Sequence, residues 1–133
     1  MDKTKKELLD EIREFKSLLC EYSILIRNHK INIVKKDQRK PKFFGLIKGR
    51  EVSDARALEL WKIDCWVWKE ELMCNVILKY AADIQSLGRL LELNPHLKEE
   101  DIIVLTEGEI IALSSIQLMR EEIPKLRNEG GST

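Results

Sequence analysis

The chain has 133 residues and a formal net charge of zero, with 44% hydrophobic and 35% charged positions. That length supports a real core and that apolar share excludes a disordered composition, while six glycines and three prolines favour helices over a turn-rich all-β fold. No apolar run approaches the ~20 residues of a membrane span, and the first residues lack the apolar centre of a secretory leader, so no membrane partner is expected.

The first predicted element is a helix over residues 4–27. Thr4 and Glu7 fit a capping box, in which each side chain satisfies a free N–H at the helix start. Leu8, Ile12, Phe15, Leu19, Tyr22 and Ile26 follow at alternating spacings of four and three, the seam of a helix packed on other helices. A strict heptad of this kind also suits self-association. Ile12, Leu19 and Ile26 are therefore candidate interface residues.

Residues 28–52 read as an irregular connection. Ile31-Asn32-Ile33-Val34 alternates like a short strand, and Pro41, Gly45 and Gly49 punctuate the rest of the segment. Residues 27–50 hold nine Lys/Arg against a single acid, Asp37, whereas residues 51–133 hold nine bases and sixteen acids. Such a basic stretch attracts phosphates, and an aromatic ring beside it can stack on an unpaired base. Lys30, Lys35, Lys36, Arg39, Lys40, Lys42, Phe43 and Phe44 are the candidate nucleic-acid contacts. The alternatives are a solvated loop and an electrostatic clamp onto acidic residues of this chain or of a second copy.

Ser53 and Asp54 open a second helix, as N-cap and as an acid favoured by the helix dipole. The stretch 54–93 carries two apolar rows. Leu58, Trp61, Cys65, Trp68 and Leu72 form one, and Met73, Ile77, Tyr80, Ile84, Leu87 and Leu91 the other. The second row is offset by one residue, so a break near Lys69-Glu70-Glu71 is expected. Trp61 and Trp68 share a side if the stretch is helical, while Trp66 points elsewhere and is a further candidate interface residue. Asn94-Pro95 closes the stretch, since proline disfavours a helical residue before it.

Thr106 and Glu109 form a second capping box, flanked by Leu105 and Ile110 as a hydrophobic staple. They predict a last helix over 107–127, with Ala112, Ile116, Met119, Ile123 and Leu126 buried and Pro124 kinking or ending it. A second reading pairs Ile102–Leu105 with Ile110–Leu113 as strands around Thr-Glu-Gly-Glu. The expected organisation is one domain over 1–127, a small, mainly α-helical bundle, with a disordered tail at 128–133.

Residues 67–113 offer an alternative, an α+β chain. Glu70 to Tyr80 lie where a LysM domain has its first helix. Leu90 to Leu97 resemble its second helix and Asn-Pro stop, and Gly108 with Ile111-Ala112-Leu113 resembles its glycine turn and last strand. The order is similar to the LysM-like tail proteins of phages. The resemblance implies a βααβ unit and a structural role in a tail-type assembly.

No catalytic motif emerges. The cysteines at 20, 65 and 74 and the histidines at 29 and 96 lack metal-ligand spacing. The carboxylate pairs are sequence neighbours on solvated faces, and Gly45-Leu-Ile-Lys-Gly49 is not a phosphate loop. Three cysteines cannot all pair, which fits reduced thiols in an apolar pattern and a cytoplasmic, intracellular setting. The expected protein is non-enzymatic, without cofactor or metal. It is an interaction or assembly module that meets a protein partner or its own copies, with nucleic acid as the alternative partner.

Overall fold

The computed structural model describes residues 3–64, 66, 68 and 70–131. The chain is mainly α-helical. Its elements are β1 (Lys3–Thr4), α1 (Lys5–Arg39), α2 (Asp54–Ile63), α3 (Glu71–Leu93), β2 (Ile102–Ile103), α4 (Glu107–Leu113) and α5 (Ser115–Gly131). They fall into two compact units: Met1–Glu21 with Lys69–Glu122, and Tyr22–Trp68 with Ile123–Thr133.

In the first unit β1 pairs antiparallel with β2, Lys3 opposite Ile103 and Thr4 opposite Ile102. The loop before β2 also closes the start of α1, whose first N–H groups have no partner within the helix. Lys5 N–H donates to the Asp101 carbonyl and Lys6 N–H to that of Glu99, and the Lys5 ammonium reaches the Leu97 carbonyl at 2.8 Å. The Thr4 hydroxyl accepts from Glu7 N–H and donates to the Glu7 carboxylate. Leu8, Ile12 and Phe15 of α1 are buried, as are Cys74, Ile77, Ile84, Leu87 and Leu91 of α3, and Ala112, Ile116 and Met119 of α4 and α5. Gly88 lets α3 approach α1: a Cβ there would stand 3.3 Å from Ile12 Cγ2.

In the second unit the core consists of Tyr22, Ile26, Ile31 and Val34 from α1, Ala57 and Trp61 from α2, Trp68, and Ile123 and Leu126 from α5. The tryptophans interlock. Trp66 stacks on Trp61 at 6.3 Å between centroids, Trp68 meets Trp61 edge-on at 6.4 Å, and His29 lies 4.7 Å from Trp68.

Three boundaries differ from the sequence reading, and one expected break is present. The first helix runs to Arg39 and absorbs the expected strand at 31–34. Ile31 and Val34 are three apart and both buried, and the helix penalty of a β-branched residue is a few tenths of a kcal/mol, so packing outweighs it. The 54–93 stretch breaks as expected: α2 ends at Ile63, with Asp64 N–H bonded back to the Leu60 carbonyl, and α3 starts at Glu71. The last helix is interrupted at Ser114. The Ser114 hydroxyl donates to the Ile111 carbonyl and the Ser115 hydroxyl to that of Ala112, local bonds that compete with the helical ladder. Finally, α5 continues through Pro124 to Gly131. Of the two outcomes expected at Pro124, a kink or an end, the helix does not end there, and Ile123 and Leu126 on either side are buried. The stretch from 128 to 131, read as tail, is helical, and the rest of that tail lies outside the described residues.

The second capping box forms in full, with the Thr106 hydroxyl accepting from Glu109 N–H and the Glu109 carboxylate from Thr106 N–H. Residues 107–113 are therefore helical, where the strand-pair reading needs a strand. Residues 71–93 are one continuous helix, and β2 pairs with the chain start instead.

Candidate interaction surfaces

The loop after α1 is a small closed structure. Pro41 stops the helix. Lys42 and Ile47 then exchange two backbone hydrogen bonds of 2.9 and 3.0 Å, and Leu46 N–H donates to the Phe43 carbonyl at 3.1 Å. Phe44 and Gly45, the two central residues of that turn, have φ of 57° and 86°, and Phe43 before them has φ of 54°. A type I′ hairpin turn requires positive φ at both central positions. It suits Gly45, but for an L-residue such as phenylalanine it costs about 1–2 kcal/mol. The base of the loop is closed as well. Arg50 N–H donates to the Gln38 carbonyl at 2.7 Å, and Gly49 passes so close to α1 that a Cβ would lie 1.8 Å from the Arg39 carbonyl oxygen.

The tip held this way is apolar and faces water. Phe43 is 69% exposed, Leu46 85%, and Phe44 wholly so, with Ile47 half exposed. None of these side chains packs back on the core.

The basic candidates divide. Lys30 lies over the Trp61 ring, 5.4 Å from its centroid. Lys35 is 2.5 Å from Asp54, Arg39 is 2.9 Å from Glu51 and Lys42 is 3.9 Å from Asp37. The hydrogen bond and charge of the Lys35 ammonium hold the Asp54 carboxyl below the usual carboxylate range. All four contacts lie within the second unit, and those of Lys35 and Arg39 to acids beyond residue 50 are of the kind the electrostatic-clamp reading describes. Among the described residues, Lys36, Lys40, Lys48 and Arg50 are exposed without a carboxylate partner. The structure thus brings Lys40, Lys42, Phe43 and Phe44 together, adds Lys48, Arg50, Leu46 and Ile47, and leaves Lys30 and Lys35 in the packing of the second unit.

The candidate interface residues of α1 are mostly inaccessible. Ile12 and Ile26 are core residues, 2% and 7% exposed, because the heptad seam is spent on neighbours within the chain. Leu19 is half-buried. Trp66 does not point away from the other tryptophans but stacks on Trp61. Of the cysteines, Cys74 is buried and Cys20 is exposed; Cys65 lies outside the described residues.

A surface the sequence reading does not single out lies on the first unit. Ile102 and Val104 are exposed, at 66% and 79%, while Ile103 and Leu105 between them are half-buried. The sheet has the order β1-β2, so one edge of β2 carries no strand among the described residues. The exposed Leu90 lines a nearby groove of about 340 Å³ with Thr106, Gly108 and Glu109. The alternation at 102–105 is the signal that could have found this edge; the strand-pair reading assigned it to an internal partner. Among the described residues, no cluster of His, Cys, Asp and Glu could hold a metal ion, and no helix is long and apolar enough to cross a membrane. Searches of protein-family models, curated proteins and solved structures yield no match to this chain.

Proposed function

We propose that this chain is a non-enzymatic interaction and assembly module that associates with a second copy of itself through the open edge of β2. The observation that carries the reading is the exposed pair Ile102, in β2, and Val104, the residue just past the end of β2, two β-branched side chains beside an unpaired strand edge. An open edge presents free N–H and C=O groups to any second strand. When two copies meet across a two-fold axis, the same segment serves on both sides. Antiparallel pairing of the two β2 segments extends the sheet to four strands and removes the apolar pairs from water. The groove that Leu90 lines with Thr106, two residues past Val104, adds to the contact.

Light scattering on the purified chain at low and high salt tests this. A dimer that persists at high salt is expected, since apolar and backbone contacts are weakly screened. Replacing Ile102 and Val104 together by lysine places charge on the edge and should give a folded monomer, because both positions are exposed. A wild-type monomer at high micromolar concentration, or a dimer indifferent to the double lysine change, refutes the reading.

A further inference from the structure

We infer that the 40–50 loop is a peripheral anchor for an anionic lipid surface, a site separate from the β2 edge. Phe43, Phe44 and Leu46 enter the acyl boundary, while Lys40, Lys48 and Arg50 sit at the headgroups.

Three features of the loop lead there. The apolar side chains cluster at the tip and are exposed, with Ile47 at their margin. The cations flank the Lys42–Ile47 bridge on both sides and are without carboxylate partners among the described residues. The whole is pre-shaped: the Lys42–Ile47 bridge, the Phe43–Leu46 turn and the tight passage of Gly49 past Arg39 fix the tip in place, so little ordering is needed on contact. Apolar insertion combined with basic residues at the headgroup level is the physical pattern of interfacial binding to anionic membranes. Nucleic acid uses only part of this equipment. A base stacks on Phe43 or Phe44, but the largely exposed Leu46 and the half-exposed Ile47 give it no stacking face. In a lipid layer all four apolar side chains leave water together.

Vesicle flotation tests the inference with phosphatidylcholine alone and with phosphatidylcholine mixed with phosphatidylserine. The wild-type chain should float with the anionic vesicles and stay behind with the neutral ones. Changing Phe43, Phe44 and Leu46 to serine, or Lys40, Lys48 and Arg50 to glutamine, should lower the bound fraction roughly tenfold or more. Only the second change should also flatten the salt dependence. An insertion readout does not depend on these losses. Phe44→Trp, compared with the wild-type chain, should gain a blue-shifted emission on anionic vesicles that lipids brominated in the acyl chain quench. Absence of flotation, or an added emission from the Phe44→Trp variant that the brominated lipids leave unquenched, overturns the proposal. Tip-dependent binding of a single-stranded oligonucleotide without vesicle binding overturns it too, and assigns the loop to nucleic acid.

Discussion

Phe44 keeps a backbone conformation that its side chain disfavours, and it makes no compensating burial. Strain of this kind persists where the surroundings or the function demand it. Phe44→Gly relieves about 1–2 kcal/mol and loses about 0.5–1 kcal/mol to the freer unfolded chain. Chemical denaturation should therefore show equal or slightly higher stability, whereas a buried Phe→Ala change costs about 3–5 kcal/mol. A loss beyond ~1 kcal/mol would mean that Phe44 packs against the chain after all. Asp54 supplies a pH test. Its folded-state carboxyl is held low by Lys35, so the pair stabilises above the ordinary carboxylate range and its contribution is lost as pH falls through the lowered value. Lys35→Met should be less stable than wild type near neutrality, with the difference vanishing in strong acid; a gap that persists in acid denaturation would place the effect of Lys35 in packing instead. At this scale the sequence was informative about residue type and silent about partner. Lys35 and Lys40 look alike in a basic run, yet one meets Asp54 and the other faces water, because a helix end and a neighbouring N-terminus decide which acids come within reach.

Helix starts were legible and helix ends were not. Thr106, Ser53 and Thr4 carry their signal in one side chain and a fixed offset, and all three accept the expected N–H. The ends depend on tertiary packing. Asp64 and Ser114 stop helices without glycine or proline, while Pro124, a strong local stop signal, lies within a helix. That proline leaves the Arg120 carbonyl without its usual donor and is itself exposed. Pro124→Ala should restore the bond and raise the melting temperature, by a stabilisation of about 1–3 kcal/mol; a lower melting temperature would show that the proline geometry is needed to seat Ile123 and Leu126. Thr106→Ala should instead destabilise by about 1 kcal/mol. The buried row from Ala112 to Leu126 survives the break at Ser114 intact, because periodicity records which face is apolar and not whether the ladder is continuous.

Across the whole chain, the mainly α class followed from periodicity and from scarce glycine and proline, but the fate of each apolar row did not. The α1 heptad reads equally well as a dimer seam or as core, and only the positions of α3 and α5 decide that Ile12 and Ile26 are core. Charge placement, in contrast, was legible at once. Residues 27–50 hold nine bases and one acid in a chain whose net charge is zero. Two readings of that excess make opposite predictions. If the ion pairs to Asp54, Glu51 and Asp37 neutralise the segment, the chain behaves as the neutral molecule its composition describes. If Lys36, Lys40, Lys48 and Arg50 stay available, they set up a positive field over the ~10 Å that screening allows at 0.1 M salt. The second is expected. The chain should be retained on a sulfonate cation exchanger at neutral pH and low salt despite its zero net charge, and changing Lys40, Lys48 and Arg50 to glutamate should release it. Flow-through of the wild-type chain would show that its own acids satisfy the basic segment, and would leave the loop with its apolar tip alone.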